Sequence, residues 1–210
     1  VVHGASVDFA VSTGWRFLAE ARAIDSSCHH ELFRVGGESA LDSLAAARRA
    51  SCATAAQPSL AEITTSLCAV LIDAACDSLP LAGAPLAGTQ RSVAILGGDG
   101  KGSLTLSERP LPGQRVAWAI RSPGVAAADM RQSVARLAAE AVDPLAAVVF
   151  SCVGRGPFFY AGDDRDLDCL RQQFPRLPLI GTYGTGQIVP VAGGGGRLLQ
   201  NAVLTSLLHR

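Results

Sequence analysis

The stretch Leu145–Cys152, LAAVVFSC, constrains the fold of this chain more than any other. It carries no charge, and its apolar residues run on without alternation. That pattern predicts a strand buried on both faces. It follows Asp143-Pro144, which stops a helix, and it runs into VGRGP, where an arginine stands between two glycines. A loop leaving a buried strand is where a rigid scaffold presents residues to solvent.

The rest of the chain reads as strands with a few helices. Residues 1–35 are turn-rich and alternate polar with apolar, which predicts two or three short strands and no helix. After Gly36-Gly37, ESALDSLAAARRA has helical spacing. ATAAQP reads as a linker. Ser59 and Glu62 match a capping box, and Leu60, Ile63, Leu67, Val70, Leu71 and Ala74 form one apolar helical face, so a long helix is expected up to Pro80. RSVAIL and SLTLSE flank GGDGKG as a hairpin, and RVAWAIR adds a strand.

Residues 125–142 predict a helix, and DDRDLDCLRQQF a shorter one with Asp163 as N-cap and Leu167, Leu170 and Phe174 inward. Three strands, LPLIGTY, QIVPV and LLQNAVLTSLL, complete the chain, with Gly193–Gly196 turning between the last two. Hairpin-linked strands outnumbering helices imply an α+β fold, a mixed, largely antiparallel sheet with helices packed on it as a layered sandwich.

Composition narrows the function. Lys+Arg and Asp+Glu balance at 18 each, so the chain lacks the basic footprint of a nucleic-acid binder. Charged residues make up 17% and hydrophobic ones 49%, the balance of a globular domain. No apolar run reaches the length of a membrane span, and the first residues, with Asp8 early and no basic start, do not read as a signal peptide. The chain opens without Met and holds only Met130, so the N-terminus is expected to lie upstream. The six cysteines (28, 52, 68, 76, 152 and 169) form no C-x-x-C pair and suit a reduced, cytoplasmic setting.

The candidate chemistry clusters after residue 150. Gly154 and Gly156 would let backbone approach a ligand, and Arg155 offers a planar fork for a carboxylate or phosphate. Asp163, Asp164, Asp166 and Asp168 crowd the next helix start, where they either hold an ammonium group or cap the helix. As a nucleophile Cys152 would need a base, and none of the four histidines stands at a recognised spacing from it. Cys28-His29-His30 cannot easily converge on one ion from an extended segment, so no metal is expected. GTYGTG has its glycines in the wrong order for a dinucleotide site, and GGGGRLL lacks the Lys-Ser/Thr of a phosphate loop, so no cofactor is expected.

Two stretches together carry a resemblance. VVFSCVGRG, followed by an acidic helix and then PLIGTYGTGQIVPV, resembles the C-terminal half of FIST domains, sensory modules found beside bacterial signalling domains and in some F-box proteins. The matching positions are Ser151, Cys152, Gly154, Arg155, Phe174, Pro175, Pro178, Ile180, Gly181, Gly184, Gly186, Ile188 and Pro190. Upstream, GWRFLAEARAID…ELFRVGGESALDSL is similar to the end of the family's N-terminal half, with Gly36 where an Asp is usual. The resemblance therefore implies residues 1–37 as the tail of an N-type domain and residues 38–210 as a C-type domain.

It also implies a non-enzymatic sensor of a small ligand, an amino acid or organic acid, with a signalling protein as partner. The implied ligand site is Ser151, Cys152, Gly154, Arg155, Gly156, Tyr183, Gly184, Gly186 and Gln187. Gln187 replaces the family's Glu, a change that would leave Arg155 freer for an external anion. Two other readings stand beside this one: a Cys152-dependent hydrolase or transferase, and a protein-interaction module without a ligand.

Overall fold

The computed structural model describes residues 6–51, 59–73, 91–111, 113–190 and 195–209. The chain folds into two compact units. One is formed by Val1–Gly14 with Ser122–Arg210 and is called here the terminal unit; the other, Trp15–Arg121, is the insert unit. Both mix strands with helices, and the fold is α+β.

Strand β1 (Ser6–Ser12) belongs to the terminal unit. The insert unit then follows with β2 (Trp15–Phe17), β3 (Arg22–Cys28), β4 (Glu31–Val35), β5 (Glu38–Ser39), α1 (Ala40–Ser51), α2 (Leu60–Ser66), β6 (Leu67–Ile72), β7 (Arg91–Gly98), β8 (Leu104–Leu106) and β9 (Arg115–Arg121). Its pairings are all antiparallel and close on themselves in the order β9-β3-β4-β8-β7-β6-β9, with β2 added on β9. Leu32, Leu44, Leu67, Ile95, Leu104, Leu106 and Trp118 fill one core, and the Trp118 indole donates to Ser43 Oγ of α1 at 3.1 Å.

The long helix expected from Ser59 to Pro80 is corrected here. Ser59 does cap α2, accepting from Glu62 N at 3.3 Å, but the helix ends at Ser66. Leu67–Ile72 is a strand, buried at every residue and paired with β7 on one side and β9 on the other. LCAVLI is apolar all round, so helical spacing could be read into it as readily as strand, and the two neighbouring strands decide. ATAAQP, Ala74 and Pro80 lie outside the described residues.

The terminal unit resumes with α3 (Pro123–Glu140), β10 (Ala146–Cys152), a single 3-10 turn (Val153–Arg155), α4 (Arg165–Gln173), β11 (Leu179–Gly184), β12 (Gln187–Pro190), β13 (Gly196–Leu199) and β14 (Val203–His209). Its sheet has the order β1-β14-β10-β11; β10 and β11 run parallel and the other pairs antiparallel. Helices α3 and α4 cover one face, where Met130, Val134 and Leu170 pack on Val149 and Val203.

LLQNAVLTSLL is two strands rather than one. The break falls at Gln200–Ala202, with Asn201 at φ 56°, a left-handed turn conformation that Asn tolerates. The expected Gly193–Gly196 turn lies partly outside the described residues. The N-cap of α4 is Asp164, which accepts from Leu167 N at 3.1 Å, in place of the expected Asp163.

Strand β10 also departs from full burial. Its residues 147, 149 and 151 meet the helices, while Phe150 on the other face is 41% exposed, and Ile180 of the adjacent β11 and Phe9 of β1, two strands away, are exposed as well. No helix among the described residues is long and apolar enough to cross a membrane.

Candidate functional site

The turn after β10 directs Arg155 inward. Its side chain is fully buried, and it grips Asp166 on the second residue of α4 with two bonds, Nε to Oδ2 at 3.1 Å and Nη2 to Oδ1 at 2.8 Å. Nη2 also reaches Ser12 Oγ and the Ala126 carbonyl, each at 3.3 Å. Tyr160 donates its hydroxyl to Asp166 Oδ1 at 2.8 Å. Burial pushes the Asp166 carboxyl above its ordinary range, against the pull of the Arg155 charge. For Arg155, burial works to lower the value, but the Asp166 charge and hydrogen bonds outweigh it and hold the guanidinium above its usual value. The fork expected to meet an external anion is therefore filled by an internal carboxylate, whatever stands at Gln187.

Beyond this ion pair, a cavity of about 210 Å³ opens in the same unit, between α4 and the helix-covered face of β10 and β11. In the parallel register Val149 faces Gly181 and Ser151 faces Tyr183, so these four residues line one side. Gly181 is there for space: a Cβ would stand 2.1 Å from the Val149 carbonyl oxygen. On the helix side, Asp164, Leu167 and Arg171 fall at i, i+3 and i+7, one face of α4, and all three line the cavity. Leu179 and Val203 extend the apolar floor, and Asp166 closes one wall.

The charges of this cavity differ in availability. Asp166 belongs to Arg155. Asp164 is held in place by the Leu167 N–H and by the Tyr183 hydroxyl, yet no cationic side chain among the described residues pairs with it. Burial, joined by the bond to Asp164, pushes the Tyr183 phenol up to about 12, so it stays a donor at neutral pH. Arg171 is exposed and has no hydrogen-bond or ion-pair partner among the described residues. The cavity thus offers one anchored carboxylate, one unengaged guanidinium and an apolar floor.

Of the residues singled out from sequence, Ser151 and Tyr183 meet in this cavity, and Gly156 packs under the Tyr183 ring. Cys152 faces the opposite side of β10, as alternation along a strand dictates. It is 4% exposed, with its thiol toward the Thr185 carbonyl at 3.8 Å. Gly184 pairs with Cys152, and Gly186 lies against Leu198. Gln187 is buried with its Oε1 unpartnered among the described residues. Neither they nor Gly154 and Arg155 line the cavity.

Among the described residues of its unit, no base reaches Cys152. His209 stands at the far end of β14, about 20 Å from the Val203 end that adjoins Ser151. It lies 2.7 Å from Asp8, without hydrogen-bond alignment. Arg171 went unnoticed in the sequence and Leu167 was read only as an inward-packing residue, although their spacing from Asp164 was the available signal.

Residues 60–190 match the family model of the FIST C domain, and the chain belongs to that family of sensory signal-transduction modules. Among curated proteins it is similar to an uncharacterized protein of Mycobacterium tuberculosis, 33% identical over 101 residues, and to an uncharacterized protein of Mycobacterium bovis, 32% identical over 101 residues. In each case the match covers 47% of this chain and 26% of the relative, so the chain spans about a quarter of the length of the proteins it resembles.

Proposed function

We propose that this chain is a small-ligand-binding sensory module, and that its ligand, of the amino acid or organic acid class, sits in the cavity between α4 and the β10–β11 face. The observation that carries this reading is a metabolite-sized cavity of about 210 Å³ whose apolar floor is flanked by Asp164 and Arg171. Few convergent polar groups over an apolar lining is the usual make-up of a small-molecule site. Ser151 and Tyr183 remain in the proposed site. Of the other expected residues, two act behind it: Arg155 by fixing Asp166, and Gly156 by seating the Tyr183 ring. A cytoplasmic setting suits the described cysteines, which are unpaired thiols.

The Cys152 enzyme reading has no support from a buried thiol on the opposite face. The interaction-module reading is favoured by one observation, the apolar face that exposes Val7, Phe9, Phe150 and Ile180. Such a face suits a signalling partner, and the two readings are compatible.

Thermal unfolding with a panel of amino acids and organic acids tests the site. A ligand at a hundred times its dissociation constant adds about 2.7 kcal/mol, and the shift is expected to vanish in Asp164→Asn. A panel without any shift, or a shift that Asp164→Asn leaves intact, would count against the cavity.

A further inference from the structure

The sheet of the terminal unit ends on a strand whose outer side is bare, and we infer that two copies of this chain pair there, β11 against β11, antiparallel across a two-fold axis at Gly181. The pairing goes beyond ligand sensing and stands whether or not the cavity is filled. In either case the second copy becomes the outer wall of the cavity.

The free side of β11 can be read residue by residue. β11 is last in the order β1-β14-β10-β11, and β10 is its sole strand partner among the described residues. Ala147 N donates to the Pro178 carbonyl, and Ala147 stands opposite Leu179 in the parallel register. Successive residues of a strand turn their backbone groups to opposite sides. Ile180 and Thr182 therefore direct theirs at β10, as Pro178 does, while Leu179, Gly181 and Tyr183 each turn an N–H and a C=O outward. Among the described residues, the only partner for any of these is the Thr182 hydroxyl, which donates to the Tyr183 carbonyl at 3.3 Å. Every residue from Leu179 to Tyr183 borders the cavity. Side chains alternate between faces, so an unbroken run means that the cavity opens along this edge. The strand also lacks what guards an edge: LIGTYG has no charge, no proline and no register shift against β10. β1, at the other end of the sheet, carries Asp8.

A second copy fits because the edge is its own complement. Antiparallel pairing about Gly181 sets Leu179 opposite the second copy's Tyr183 and Gly181 opposite itself, so each outward N–H meets an outward C=O. Gly181 has no side chain to meet its counterpart, and on the other face Ile180 meets the second copy's Thr182. Charge follows the same symmetry. Asp164 and Arg171 stand at opposite ends of the cavity-lining face of α4, and the Tyr183 hydroxyl ties the acidic end to the C-terminal end of β11. Asp164 to Arg171 spans about 10 Å by helical rise and Leu179 to Tyr183 about 13 Å by strand rise, so the two share a midpoint near Gly181. Antiparallel pairing thus brings the acidic end of one α4 level with the basic end of the other. Parallel pairing would set acid level with acid. A strand from an unrelated protein would satisfy the backbone groups but not account for the symmetry.

Sedimentation of the full chain at micromolar to submillimolar concentrations tests the pairing, and a reversible dimer is expected. Ile180 and Thr182 are exposed, face away from the helices and turn their backbone toward β10, so both can be changed without touching the outward groups. Ile180→Lys with Thr182→Lys sets lysine opposite lysine twice across the interface, and the dimer is expected to weaken roughly thirtyfold. Ile180→Lys with Thr182→Glu sets opposite charges in the same places, and an affinity within about threefold of the original is expected. Circular dichroism unchanged in both variants separates lost pairing from lost folding.

A chain that is monomeric throughout overturns the inference, even where a foreign strand binds the edge. So does a dimer that the paired lysines leave intact, or one that the lysine–glutamate variant fails to restore.

Discussion

A guanidinium taken wholly out of water is stable only where its donors are met, and Arg155 meets that condition through Asp166, Ser12 Oγ and the Ala126 carbonyl. Arg155→Met leaves Asp166 buried and unpaired, so a loss of about 3–5 kcal/mol is expected in urea unfolding. Adding Asp166→Leu should return much of it, which a purely steric role for Arg155 would not predict. Gly-Arg-Gly reads as a fork for an external anion because its internal partner is not local; the carboxylate comes from a helix eleven residues later. The only two tyrosines, Tyr160 and Tyr183, are both raised above their ordinary value, first by burial. Both should remain unionised at pH 10 in a spectrophotometric titration of the folded chain. Because the unfolded chain gives up those protons first, stability that is complete below about pH 10 declines as pH rises from there. Phenolate absorbance appearing at pH 10 without unfolding would contradict the geometry around Asp164 and Asp166.

At the scale of elements, hairpin strands and the helix α3 were legible because turn residues and caps mark their ends: Asp99 closes the β7–β8 turn by accepting from Lys101 N and Ser103 N, and Ser122 caps α3. The stretch after Ser59 misled because a local signal, a sound cap, was followed by a run whose state depends on distant strands. Leu67–Ile72 gains its structure from β7 and β9, whose paired residues stand twenty or more positions away in sequence. Truncation there should therefore weigh like a core defect. Leu71→Ala, in the main core of the insert unit, is expected to cost about 2–5 kcal/mol, whereas Ser59→Ala at the cap should cost about 1 kcal/mol. Equal small losses would argue for a helix through residue 72. The half-open β10 has a related cause. Its apolar composition was read as burial on both faces, while Phe150, on the face away from the helices, is left half-exposed.

For the whole molecule, the terminal unit is discontinuous: β1 pairs along its full length with β14, almost two hundred residues later. No local pattern announces such a pairing, which is why the opening residues were legible as strands but not as partners of the last one. The candidate site shows the same division. The motif led to the loop after β10 and to Ser151 and Tyr183, which line the cavity, but the cavity is completed by the α4 region, whose Asp164, Leu167 and Arg171 converge only once the helix is docked. The central claim is that this cavity is where the chain senses its ligand. Amide chemical shifts of the isotope-labelled chain, followed while the metabolite panel is titrated in, test it most directly. The account predicts that the binder moves the amides of Val149–Ser151, Asp164–Arg171 and Gly181–Tyr183 first and furthest. A binder that leaves those residues still and moves others, or a panel that moves none, would contradict it.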